Sequence, residues 1–226
     1  MRTTVFSLLA HLTRAARFPE PIIEFGAARV EAQAHLPATA SMFSGQVLFG
    51  SDMQIGPGVD HVQDLHAIAM PSVSIGTALV LDTVEHVREP WRALAEVHRC
   101  LKPGGLVVMT SHFFFPIHAF PDDYWRFSAS GFEVLLSSFH TVAVDAVGSK
   151  RLPHTVIGVA VKPPVVDDVA AQLRSAVRSW HSNGSTTWKE RALMGLPPPL
   201  LISAYDAFSG AARFVNPRRA RRQRAR

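Results

Sequence analysis

The 226-residue chain has a single cysteine, Cys100, so it can close no internal disulfide and offers no cysteine cluster for zinc. A lone thiol fits a reducing compartment, and a cytoplasmic location is expected. Charged residues make up only 18% of the chain while 47% are hydrophobic, a balance that excludes a disordered protein and allows a sizeable core. Apolar runs are short, far from the roughly 20 residues a membrane-spanning helix needs. Acidic residues are missing from two places. The last nine residues, Arg218 to Arg226, hold six arginines and no acid, and without them the formal net charge of +5 becomes −1. The folded part therefore has no basic surface to meet a nucleic acid, and no nucleic-acid partner is expected. Residues 1–18 also lack acids, but His11 interrupts their apolar stretch and no small-residue cleavage site follows. An amphipathic helix kept in the mature protein is expected there, not a targeting peptide.

Between these ends, apolar runs of strand length alternate with helical patterns. Ile22-Ile23-Glu24-Phe25-Gly26, Gln46 to Asp52, His61 to Leu65, Thr77 to Asp82, Leu106 to Met109, Val142 to Val147 and Val156 to Val161 read as seven strands. Pro90 opens a helix carrying Trp91, Leu94, Ala95, Val97 and Leu101, and Pro103-Gly104-Gly105 ends it. Ser130 and Glu133 read as the capping box of another. Apolar strands alternating with helices predict an α/β fold with a doubly wound, mainly parallel sheet. Ligands in such sheets bind at the carboxyl ends of the strands, where Gly26, Asp52, Asp64-Leu65, Asp82 and Ser111-His112 fall. The expected organisation is an N-terminal helix over 1–19, one domain over 20–163, a helical appendage over 164–216 and a basic tail over 217–226. Apolar residues from Leu200 to Val215, followed by arginines, allow peripheral docking on a membrane, with an ordinary packed helix as the plainer alternative. Nothing in the sequence fixes an oligomeric state.

Three segments in order carry a resemblance. Val84-Glu85-His86-Val87-Arg88-Glu89-Pro90, then Glu96-Val97-His98-Arg99-Cys100-Leu101-Lys102-Pro103-Gly104-Gly105, then His118-Ala119-Phe120-Pro121-Asp122-Asp123-Tyr124-Trp125-Arg126-Phe127, are similar to segments of the class I S-adenosylmethionine-dependent methyltransferases. The resemblance covers about residues 20–163 and implies a Rossmann-like sheet, an S-adenosylmethionine cofactor and methyl transfer to a small-molecule or glycan hydroxyl. It also implies site residues. Glu24 and Gly26 would meet the methionine part, Gly26 through backbone N–H groups, and Asp52 the two ribose hydroxyls. Asp64 and Leu65 would flank the adenine, with Asp60 an alternative to Asp64, and Asp82 would close the cofactor site. The family's first loop is an acid followed by Gly-x-Gly-x-Gly. Here it reads Glu24-Phe25-Gly26-Ala27-Ala28-Arg29, with one glycine. A non-catalytic scaffold, or a nucleic-acid methyltransferase anchored by the arginine tail, are the rival readings.

Asp82, Glu85 and His86 stand at i, i+3 and i+4, a spacing that gathers side chains on one face of a helical turn. The pattern is similar to that of ubiquinone-biosynthesis O-methyltransferases and small-RNA 2′-O-methyltransferases. The resemblance implies a bound Mg²⁺ or Mn²⁺ that would lower the acceptor hydroxyl's pKa. Many relatives carry Glu-His here without a metal, so the packing role stays open. His112 and His118 each read either as a fourth metal ligand or as the general base, with His118 preferred and His86 beside it. His112, Tyr124 and Trp125 are expected to line the acceptor pocket, and Arg126 to pair with an aspartate of its loop.

Overall fold

The structure, a computed structural model, describes residues 2–29, 38–118, 122–148, 152–165, 167–184 and 200. All but the first residue of the helix expected from Leu200 to Val215 lies outside the described residues, as do Pro197-Pro198-Pro199 and the arginine tail.

Seven strands form one sheet: β1 (Ile22–Phe25), β2 (Leu48–Asp52), β3 (His61–Val62), β4 (Ile75–Leu81), β5 (Leu101–His112), β6 (His140–Gly148) and β7 (Pro153–Val161). Their order is β3-β2-β1-β4-β5-β7-β6. The pairs from β3 to β5 are parallel, and β7 runs antiparallel to both β5 and β6. This is the mainly parallel, doubly wound sheet that the alternating pattern predicts. The central strand β4 is buried at every residue, which is why its sequence Ile-Gly-Thr-Ala-Leu-Val-Leu shows no polar alternation.

Among the described residues four helices cover the two faces. Helix α2 (Pro90–Cys100) and helix α3 (Ala129–Leu135) set Leu94, Val97 and Phe132 against Phe25, Val80, Val107 and Met109. Helix α1 (Thr3–Ala15) and helix α4 (Asp167–Gly184) cover the other face. They bring Leu8, Leu9, Leu12, Leu173, Val177 and Trp180 onto Ile22, Leu79, Leu106, Val108 and Val159. Leu8, Leu9 and Leu12 are fully buried at helical spacing, each side chain contributing roughly 1.5–3 kcal/mol of burial. Trp180 Nε1 donates to Ser7 Oγ at 3.2 Å and ties α4 to α1. The first part of the expected appendage thus shares the domain's core. A small cavity of about 120 Å³ lies at the amino end of the sheet between Phe18, Leu106, Val161 and Leu173.

Two local expectations are corrected. Helix α3 is capped by Ser128, whose Oγ accepts from Gly131 N at 3.1 Å, and not by Ser130. Helix α2 ends at Cys100 and strand β5 begins at Leu101, which pairs with Ile75, so Leu101 and Pro103-Gly104-Gly105 belong to the strand and not to the helix end. Gly104 takes φ +75° within it, and its N–H pairs with Lys162 O at 2.8 Å.

Candidate functional site

The carboxyl ends of β1, β2, β4 and β5 form one rim, and the first loop on it is turned inward. Gly26 has φ +79°, and a Cβ there would collide with Thr83 Oγ1, so only glycine suits the position. The N–H groups of Gly26 and Ala27 both donate to Ser51 O, at 2.8 and 2.9 Å. Ala28 N donates to Asp52 Oδ2 at 3.2 Å, and Arg29 N to Pro57 O at 3.0 Å. The segment after β2 closes against this loop, with Gly58 packed on Ala27 O and the Arg29 side chain. Beneath it, Glu24 Oε1 accepts from Thr39 Oγ1 at 2.8 Å, and burial pushes the Glu24 carboxyl above its ordinary range.

Along the rim, Asp52 ends β2 and also accepts from Gln54 N at 3.3 Å. Asp60 is drawn back onto β2, its carboxylate accepting from Gly50 N at 2.8 Å. Partial burial of Asp64 opposes its ionisation, but two hydrogen bonds from His66, each 2.8 Å, hold its carboxyl below the usual range. Leu65 is buried in the core.

After β4 the chain turns sharply. Asp82 takes φ +50°, and a single 3₁₀ turn follows over Val84–His86. This turn directs three neighbouring groups to three different partners. Arg2, at the start of α1, forks onto Asp82 through Nε at 2.8 Å and Nη2 at 2.5 Å, and Thr110 Oγ1 adds a third bond at 2.9 Å. Burial opposes ionisation of Asp82, yet the guanidinium charge prevails and holds the carboxyl far below its ordinary value. Glu85 points inward and is fully buried. Its Oε2 accepts from Ser111 Oγ at 3.0 Å, whereas Oε1 has no hydrogen-bond partner among the described residues. Burial and the Asp82 charge push the Glu85 carboxyl up to about 8. His86 Nδ1 meets Asp122 O at 2.6 Å.

The segment from Asp122 to Phe127 docks on this turn, with Tyr124 N and Trp125 N both donating to Glu85 O. Arg126 grips both carboxylate oxygens of Asp123 and the carbonyls of Phe115 and Pro116. Asp123 Oδ2 in turn accepts from His118 N at 2.9 Å and lies 3.2 Å from His118 Nδ1. His112 stacks on Phe115 with ring centroids 3.9 Å apart, and its Nε2 lies 3.7 Å from Glu85 Oε1. The His118 ring stands edge-on to both His86, at 4.7 Å, and His112, at 5.2 Å. Burial, and then the Arg2 charge, push the His112 imidazolium far down; burial and then His86 lower that of His118. Both rings are neutral near pH 7.

The sheet order with antiparallel β7, and a cluster of ionisable groups at the ends of β4 and β5, can now be set beside known proteins. Residues 48–109 match the family model described as a methyltransferase domain. One structural neighbour is the Burkholderia thailandensis 1,6-didemethyltoxoflavin-N1-methyltransferase with bound 1,6-didemethyltoxoflavin and S-adenosylhomocysteine. It has a TM-score of 0.55 and 16% identity over 71% of this chain and 78% of that one. An S-adenosylmethionine-dependent methyltransferase from Mesorhizobium loti matches with a TM-score of 0.52 and 14% identity, over 67% of this chain and 95% of that one. The [4+2]-cyclase SpnF matches with a TM-score of 0.53 and 14% identity, over 72% and 81%. No curated protein matches the sequence. The chain has the class I methyltransferase fold.

Within that fold, Asp52 ends β2 and Asp64 follows β3 at the carboxyl rim, whereas Glu24 lies inside β1, beneath the first loop. Gly26 does not present its N–H outward, because Ser51 O takes it. Asp82 is committed to Arg2 and His86 to Asp122, so Asp82, Glu85 and His86 do not converge as a ligand set. The groups brought together are Glu85, His112 and His118, whose potential ligand atoms all lie within 4.8 Å of one another. Trp125 is an anchor more than a pocket wall: its Nε1 donates to Val87 O at 2.9 Å and its ring packs on the core beside Phe127. Tyr124 is exposed and its hydroxyl donates to Asp122 Oδ2 at 2.9 Å. Arg2 and Thr110 have no local signal to mark them, and Ser111 is marked only as a strand end. Asp123 lies inside a recognisable segment but shows its role only through His118 and Arg126. Among the described residues no helix is long and apolar enough to cross a membrane.

Proposed function

We propose that this chain is an S-adenosylmethionine-dependent methyltransferase that methylates a hydroxyl oxygen of a small molecule or glycan. Methyl transfer rests on the family match and the fold. The hydroxyl acceptor rests on one observation, the pair of imidazoles His86 and His118. Each places its Nδ1 against an oxygen that can only accept, Asp122 O for His86 and Pro116 O with the Asp123 carboxylate for His118. Nδ1 therefore carries a hydrogen in each, which leaves Nε2 of each ring as the candidate base atom.

The cofactor would supply a methyl group on a positively charged sulfur, already activated for displacement. The chain's own groups fit two parts of it. Asp52 is placed to accept from the ribose hydroxyls, each charge-assisted bond contributing roughly 1.5–3 kcal/mol. Glu24, half-buried in β1, is the acid proposed for the ammonium. The carboxylate end fits poorly, since the N–H groups of residues 26–29 are already taken. Because the thioether leaves neutral, no acid is required of the protein. Its tasks are alignment, which removes up to roughly 7–11 kcal/mol of barrier, and removal of the hydroxyl proton by the imidazole pair.

The engaged amides favour the scaffold as the second reading, and the SpnF match shows that this fold does not fix its chemistry. Calorimetric titration with S-adenosylhomocysteine separates the two. The expected result is saturable binding that Asp52→Ala weakens at least about tenfold with the fold intact. No heat at millimolar ligand overturns the methyltransferase reading, and equal affinity in Asp52→Ala overturns the ribose assignment.

A further inference from the structure

We propose that Glu85, His112 and His118 form a binding site for one divalent transition-metal ion, with a ligand set that excludes Asp82 and His86. Three observations carry this. The first is geometric: the candidate ligand atoms lie within 4.8 Å of one another, and Glu85 Oε1 and His112 Nε2 are 3.7 Å apart. A tetrahedral ion with bonds of about 2.0–2.2 Å holds its ligands about 3.4 Å apart, so these two atoms need to close by only a few tenths of an ångström. The His118 ligand atom lies within 4.8 Å of both, and its side chain is the least buried of the three.

The second is the unanswered polarity of the cluster. Glu85 Oε1 is buried with no hydrogen-bond partner among the described residues, and the Arg2 and Arg126 charges act on this carboxylate only from a distance, since each guanidinium is paired with another acid. The other acids nearby are already balanced, Asp82 by Arg2 and Asp123 by Arg126. A buried carboxyl oxygen left unsatisfied costs roughly 1–3 kcal/mol, and a cation at this point would relieve it. The third is the support behind His118. Its Nδ1 faces the Asp123 carboxylate at 3.2 Å, and Arg126 fixes that carboxylate. A carboxylate behind an imidazole sets its tautomer and aims Nε2, as is common behind metal-bound histidines.

Two imidazoles and one carboxylate select borderline ions such as Zn²⁺, Co²⁺, Mn²⁺ or Fe²⁺ over Mg²⁺, which prefers an all-oxygen shell. Three protein ligands leave a position open. On the methyltransferase reading, and only there, an ion held here would polarise the acceptor hydroxyl; His118 would then serve as a ligand, and His86 alone of the imidazole pair would remain as the base.

Binding is tested without reference to activity. The purified chain, stripped with EDTA, is titrated with Co²⁺ and followed by its visible ligand-field spectrum. One equivalent is expected, displaced by Zn²⁺ and not by millimolar Mg²⁺. His118→Ala removes a half-buried ligand and should abolish the spectrum, with circular dichroism confirming the fold. Glu85→Gln, which preserves shape, should do the same, and Asp123→Asn should weaken binding about 10–100-fold. Absence of a spectrum, its persistence in His118→Ala and Glu85→Gln, or displacement by Mg²⁺ each overturns the site. S-adenosylhomocysteine binding, measured on the same stripped protein, tests the methyltransferase reading separately.

Discussion

Arg2 and Asp82 are 80 residues apart in sequence, yet their bidentate pair joins the first turn of α1 to the rim of the sheet, with side-chain exposures of only 24% and 14%. Replacing Arg2 with methionine keeps most of the stem packing and removes the charge. Asp82 would then be a buried anion with Thr110 Oγ1 as its remaining side-chain donor. Breaking a buried pair from one side costs about 3–5 kcal/mol, and the residual exposure of both groups reduces this to about 2–4 kcal/mol at pH 7. The pH dependence follows from the sign of the shift. In the native protein the Asp82 pKa lies below its ordinary 3.8, so its stabilisation is complete well above pH 3.8 and is lost as pH falls through the native value. In Arg2→Met, burial without the guanidinium raises the same carboxyl, and the variant's deficit grows as pH rises through that higher value. Urea denaturation at a series of pH values should therefore show the wild-type advantage largest near neutrality and narrowing toward pH 4. A gap under about 1 kcal/mol at pH 7, or one that does not change with pH, would refute the reasoning. The cycle with Asp82→Asn isolates the pair, since Arg2→Met should cost much less in that background.

Two further outcomes follow from the packing. Gly26→Ala places a Cβ against Thr83 at φ +79° and should destabilise by about 1–3 kcal/mol in urea melts, so a neutral result would mean the β1 loop takes another path. Leu9→Ala, in the middle of the face that α1 lays on the sheet, should cost about 2–5 kcal/mol, and a smaller loss would show that α1 is not integral to the core.

The sheet and helix α2 were legible because their signals are local. Contiguous apolar runs mark strands buried on both faces, and Pro90 at the start of α2 sits where its missing N–H costs nothing. The cap of α3 was missed by two residues because Ser128 and Ser130 both lie at the start of one short helix. Only the chain's approach decides which hydroxyl meets a free N–H, and it is Ser128 that reaches Gly131. The site failed differently. The spacing of Asp82, Glu85 and His86 gathers side chains on one face only if the backbone is α-helical through all of them. With Asp82 at φ +50° and a single 3₁₀ turn after it, the same three residues separate. Each then finds a partner the local pattern does not contain: Arg2 for Asp82, Ser111 for Glu85 and the Asp122 carbonyl for His86.

The first loop teaches the same lesson from the other side. Its missing glycines read as a steric matter, a Cβ in the way of a ligand. The structure makes it a matter of hydrogen bonding, because the amides that a glycine-rich loop would turn outward are bonded to Ser51, Asp52 and Pro57. A cofactor that binds here must either do without those amides or displace three protein acceptors. The first course places its hold on Asp52 and Glu24. An affinity that collapses on Asp52→Ala is therefore a sharper expectation for this chain than for one whose loop amides share the load.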